Sequence, residues 1–260
     1  MQIWQAIVLG AVQGFSEFLP ISSSGHLILL QHWFGIEEGA VFYSVMLHVG
    51  TLIPVLIVLW KEILGLFKKP FNKLLYLILA TIPAGIVGII LHLTVDLDEL
   101  FAEKIWLLGI TFLITAGEML FTEFYSKKTS LDNPVGIKQS LYMGAGQALG
   151  VLPGVSRSGT TITFGTLAKT DRNENAKFTF LMSVPIIIAA AALEGFTCIK
   201  EGAGDISVLP LLLGILTAAV CGYIAISFMM KIIKKANYKW FSLYLILLSA
   251  ATFITYAAGV

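Results

Sequence analysis

Six stretches of about twenty residues run through this chain almost free of charge: about 40–60, 72–93, 104–123, 178–197, 207–230 and 238–257. A helix of that length crosses the hydrocarbon of a bilayer. Some stretches carry one interior acid or histidine. The rest of the chain agrees, with 57% hydrophobic and 13% charged residues over 260 positions, where a soluble domain holds about a quarter charged. Mean hydropathy is +0.86. A soluble, core-rich domain is excluded, and a net charge of +1 gives no reason to expect nucleic acid. Cys198 and Cys221 lack metal-ligand spacing and read as small apolar packing groups. The N-terminus has no basic region of the kind that opens a cleaved signal peptide.

Two further apolar regions, 3–34 and 136–168, are broken at their centres by Gly, Pro and Ser. Neither half of either region is long enough to span. Backbone can break at membrane depth only where protein or a watery cavity satisfies its polar groups. Both regions therefore read as re-entrant helix–turn–helix elements. The first 60 residues hold no Lys or Arg, and after them basic and acidic connections alternate. Lys61, Lys68, Lys69 and Lys73 are followed by Asp96, Asp98, Glu99 and Glu103, and these by Lys127, Lys128 and Lys138. Lys200 then stands against Glu201 and Asp205, and Lys231, Lys234, Lys235 and Lys239 come last. The positive-inside bias puts the basic connections in the cytoplasm and both termini outside.

The two broken regions are related. Residues 10–28, GAVQGFSEFLPISSSGHLI, align without a gap on residues 144–162, GAGQALGVLPGVSRSGTTI, with seven of nineteen positions identical. Each copy is followed by three spans, an odd number, so the second copy enters from the opposite face. The expected fold is an all-α polytopic membrane protein of six transmembrane helices and two re-entrant elements. It forms one membrane domain of two inverted repeats, about 1–126 and 127–260. Transporters built this way hold their sites at the midplane, between broken helices.

The polar residues at the two tips suit a phosphate. Arg157 is one of two arginines in the chain; at membrane depth such a residue is functional by default, and its planar fork matches phosphate or carboxylate. Ser156, Ser158, Thr160 and Thr161 surround it. Ser22, Ser23, Ser24 and His26 stand in the facing tip, and helix N-termini after the turns would aim N–H groups at an anion. Gln13 and Gln147 precede the turns at equivalent positions. Glu17 reads as a base, a ligand for a bridging divalent cation, or a partner of Arg157 or His26. A hydroxyl, a carboxylate, a histidine and an arginine are sufficient parts for phosphoryl transfer. The competing readings are close packing for the Ser and Gly residues and a structural ion pair for Glu17 and Arg157. His48, mid-span and without a motif, reads as a packing histidine. Glu118 and Glu194 read as span-end acids reaching polar partners.

The two motifs resemble those of the undecaprenyl-diphosphatase family, the bacitracin-resistance type of lipid pyrophosphate phosphatase. Gln13 and Glu17 with the turn Ser22, Ser23, Ser24, Gly25 and His26 match its first motif. Pro153, Gly154, Ser156, Arg157, Ser158, Gly159 and Thr161 match its second. The resemblance implies hydrolysis of undecaprenyl diphosphate to undecaprenyl phosphate, a long-chain polyprenyl diphosphate lipid as partner, and a site open to the outer face of the plasma membrane. It implies a stimulating divalent cation, Mg2+ or Ca2+, and no organic cofactor; no oligomeric state is read from it. Many members carry Glu where this chain has Gln13, so a pair of carboxylates is not expected here. The residues themselves name Glu17, Ser23, His26 and Arg157 as the catalytic set, with Ser23, His26 or a water as nucleophile. Gln13, Ser22, Ser24, Gln147, Ser156, Ser158 and Thr161 would hold the diphosphate. A polyprenyl-phosphate flippase or transporter would use the same inverted-repeat site.

Overall fold

The computed structural model describes residues 1–36, 39–201, 207–235 and 237–259. The positions of Glu201 (as to its side chain) and Asp205, and the packing of Cys198, lie outside the described residues. Among the described residues the regular elements are all helices. The first broken region becomes α1 (Ile3–Phe18) and α2 (Ser23–Phe34). The second becomes α8 (Ile137–Leu149) and α9 (Arg157–Leu167). The six spans are α3 (Ala40–Val58), α5 (Asn72–Thr94), α7 (Trp106–Lys128), α10 (Arg172–Glu201), α11 (Val208–Lys235) and α12 (Lys239–Ala258), each long and apolar enough to cross a membrane. Two short helices, α4 (Trp60–Leu66) and α6 (Leu97–Glu103), lie in the connections.

Local chemistry sets the breaks. Pro20 forces Leu19 into extended backbone, and α1 stops there. Ser22 takes a left-handed φ of 67°, and its hydroxyl accepts the Gly25 N–H at 3.4 Å, capping α2. In the second copy Ser156 caps α9 by accepting the Gly159 N–H at 3.1 Å. The serine and the glycine three residues later are identical in the two copies because the same cap is made twice.

Packing joins the two halves. α1 lies along α11, and α8 lies along α5. Gly10 meets the backbone of Gly214 on α11, and Gly144 meets the backbone of Ala80 on α5, so these aligned glycines make the same close approach. Each broken helix thus packs on the second span of the other half, an exchange that fits a pseudo-twofold relation between them. The main core gathers Phe18, Phe180, Met119, Met143 and Ile162 beneath the two turns. A second cluster around Leu108, Phe112 and Leu245 backs the first turn. On the outside of α5, Ile78, Ile82, Ile86 and Ile90 form an exposed stripe at helical spacing, the surface a lipid tail would cover.

Candidate functional site

The two turns touch. A β-carbon on Gly25 would meet Gly154 of the second turn, and the Ser158 hydroxyl donates to the Leu19 carbonyl at 3.1 Å. Gly154 has a φ of +83°, and the Thr111 side chain occupies the place of a β-carbon. Thr115, one turn along α7, donates to the Gly154 carbonyl at 3.3 Å and accepts the Ser156 N–H at 3.0 Å. Two α7 threonines thereby hold the second turn against the first.

Glu17 lies at the junction, 4% exposed. Its Oε1 receives Arg157 Nη2 in an ion pair that links the two motifs across the interface. Its Oε2 accepts the Ser23 hydroxyl at 2.6 Å and the Gln13 amide at 3.1 Å. A buried carboxylate needs such donors, because desolvation without them costs several kcal/mol. Ser23 and Arg157 are the first helical residues of α2 and α9, so both stand where unpaired helix N–H groups face an anion.

A cavity of about 670 Å³ opens above this pair. Its floor is polar, with Glu17, Ser22, Ser23, Ser24, Gln147 and Arg157. It runs between α5 and α10 as far as His92 and Leu93, beside the acidic connection 94–103. Of the residues expected at the site, the structure gathers these six there, with Gln13 behind Glu17.

Three others hold the turns instead of facing the cavity. The Ser156 hydroxyl is spent on its cap and Ser158 on Leu19, while Thr161 donates to the Arg157 carbonyl at 2.8 Å. His26, expected in the cavity, stands outside it. Its Nδ1 lies 2.6 Å from the Ser22 carbonyl, so that nitrogen carries the proton, and Nε2 accepts the Tyr244 hydroxyl at 2.6 Å. The ring stacks on Tyr244 and meets the edge of Phe112. The physical reason is helical phase: Ser23 begins α2, and a residue three positions on turns toward α7 and α12.

The histidine that does face the site is His48. Its Nε2 lies 3.5 Å from both Ser23 Oγ and Glu17 Oε2, and its Nδ1 is 2.7 Å from the Ser44 carbonyl. The carbonyl can only accept, which puts a proton on Nδ1. The one signal in the sequence was a histidine in the middle of a span. Thr111 and Thr115 carried none, since hydroxyls in a membrane helix commonly bond their own backbone. Glu118 lies mid-helix in α7, not at a span end, and its Oε2 is buried without a partner among the described residues.

The residues do not make a dedicated cation site. Among those described, no group of three or more His, Cys, Asp or Glu could hold a metal ion. Both oxygens of Glu17 are covered by N–H and O–H donors, which point where a cation would sit.

Six helices able to span, two broken helix pairs meeting tip to tip, and an arginine, a carboxylate and a serine at the floor of a cavity define a polytopic membrane protein with an anion-suited site. The family model described as bacitracin resistance protein BacA matches residues 6–251. The chain belongs to that family. It is 37% identical to a protein of Carboxydothermus hydrogenoformans named undecaprenyl-diphosphatase, over 100% of this chain and 99% of that one. It is 38% identical to one of the same name from Thermodesulfovibrio yellowstonii and 36% identical to one from Bacteroides fragilis, each over 98% of both chains.

Proposed function

We propose that this protein hydrolyses undecaprenyl diphosphate to undecaprenyl phosphate and phosphate, returning the carrier lipid to cell-wall polymer synthesis. The observation that carries the reading is the chain of contacts from Arg157 through Glu17 to Ser23 at the cavity floor. Arg157 moves from Glu17 to the diphosphate and stabilises its developing charge. Released from its ion pair, Glu17 accepts the Ser23 proton. Ser23 Oγ bonds to the terminal phosphorus, the bond to the bridging oxygen breaks, and undecaprenyl phosphate leaves. Water then attacks the phosphoserine, the Oγ–phosphorus bond breaks, and Glu17 returns its proton to Ser23. His48, beside both groups, occupies the place first expected of His26. His26 holds the Ser22 carbonyl and so the turn that presents Ser23.

The site opens to the outer face of the plasma membrane, with both termini outside, in keeping with the charge of the connections. The names of the relatives do not favour the flippase alternative. The test is phosphate release from undecaprenyl diphosphate by the purified protein in detergent, with acid quench to trap phosphoserine at position 23. Release without a trapped phosphoserine, even in slowed variants, would make water the nucleophile. No release would remove the phosphatase reading.

A further inference from the structure

The upper part of the cavity is apolar, and two of its wall positions are glycines without a packing reason. Gly10, Gly14, Gly144 and Gly146 each let another helix's backbone or side chain approach closely. Gly85 and Gly88 on α5 differ: a β-carbon on either would meet no heavy atom within 4 Å. Both line the cavity. Glycine weakens a helix interior relative to alanine, so here it leaves room inside the cavity and brings no helix closer. Ala189 and Ala190 of α10 stand in the facing wall, and these too are small.

A wall of small residues alone would carry nothing, but the floor beneath it also points to a ligand. Gln147 is 1% exposed and lines the same cavity, and its Oε1 has no partner among the described residues. Its Nε2 is held by the Ala80 carbonyl at 3.3 Å, one turn below Ala84 and Gly85. The floor thus sets the buried Gln147 with Arg157, Ser22, Ser23 and Ser24 at the polar end of the same cavity. At the other end the wall passes into the lipid-facing surface. Ile89 is 63% exposed, Leu93 77% and Leu193 44%, and all three border the cavity. A ligand filling this space has a polar, anionic end at the floor and an aliphatic part leaving between α5 and α10.

We infer that the isoprene units beyond the first lie against Gly85 and Gly88, and that these two positions set the protein's preference for a long polyprenyl chain over a short one. The remainder of the chain stays in the bilayer beyond Ile89 and Leu93. This inference rests on the phosphatase reading above.

The test is a ratio. Purified wild type, Gly88→Leu and Gly85→Leu are compared on undecaprenyl diphosphate and on isopentenyl diphosphate, which shares the head group but has a single isoprene unit. Each leucine should lower the ratio of kcat/KM for the long chain over the short one about tenfold or more, with the loss falling on KM, as for steric exclusion from an apolar pocket. Gly88→Ala guards against a misfolded leucine variant. It should raise or keep the melting temperature, since its β-carbon meets open space, and still lower the ratio by about twofold or more. Equal losses on both substrates, or no change in the ratio in any well-folded variant, would overturn the inference. A wild type that releases no phosphate from either substrate would instead overturn the phosphatase reading, and the chain path with it.

Discussion

Ser23 and Arg157 hold the same position in the two motifs, the first residue of a helix at a broken tip, and they carry opposite parts of the proposed reaction. The two aligned motifs thus differ in chemistry at this position. Arg157→Lys keeps the charge but loses the fork, which a bidentate site does not tolerate. Its kcat/KM should fall about a hundredfold, the equivalent of roughly 3 kcal/mol in the transition state, close to the loss in Arg157→Ala. A lysine variant near wild-type rate in the phosphate-release assay would show that only charge matters. Glu17→Gln keeps the shape and removes the base. Turnover should drop about 10²-fold or more, while undecaprenyl diphosphate still binds. Gln13 already hydrogen-bonds Glu17 from one turn earlier and cannot replace it. An undiminished rate in Glu17→Gln would leave the carboxylate without a chemical role. At this scale the sequence marks residue types that are costly in a membrane, and the structure brings two of them, Arg157 and Glu17, into one ion pair. The sequence could not separate His26 from His48, because which face of a helix a histidine presents depends on where the helix begins.

The helices themselves were legible because their signals are local. Length and hydropathy place the six spans, and Pro20, Pro153 and Gly154 place the breaks. α4 and α6 were not read, since seven residues are too few to show a period. Also out of view was what fixes the tips to their neighbours, because that depends on contacts far apart in sequence. Gly154→Ala tests this. It must hold a left-handed φ, worth about 1–3 kcal/mol, and also displace the Thr111 side chain. Gly35→Ala is the control: its φ is +62° and a β-carbon there meets nothing within 4 Å. In thermal melts in detergent the Gly154 variant should be the less stable of the two, and it should lose activity while Gly35→Ala keeps it. Equal melting temperatures and equal activities would mean that α7 yields without cost. A second clamp lies at the far end of α7. Glu123 accepts the Lys239 N–H at 2.5 Å and Lys127 Nζ at 2.6 Å, satisfying the start of α12. Glu123→Ala should cost about 1–3 kcal/mol of stability, the usual consequence of leaving such a donor unpaired.

Across the whole molecule, the exchange of α1 onto α11 and α8 onto α5 makes each half depend on the other. The two broken tips meet, and the cavity leads from them along α5 and α10 to one side. Its mouth lies at His92 and Leu93, next to the acidic connection, while the basic connections lie at the opposite ends of the spans. The outer-face opening proposed above rests on this charge pattern, and single cysteines in a chain freed of Cys198 and Cys221 can test it. Glu99 and Lys128 are both exposed, in α6 and at the end of α7. Glu99→Cys should react with a membrane-impermeant maleimide added to intact cells, and Lys128→Cys only after the membrane is opened. The reverse pattern would turn the cavity toward the cytoplasm. Because α5 and α10 run in one fixed sense from floor to mouth, the same labelling would then move the proposed reaction to the cytoplasmic leaflet, where lipid released outside could not reach Ser23 without first crossing the membrane.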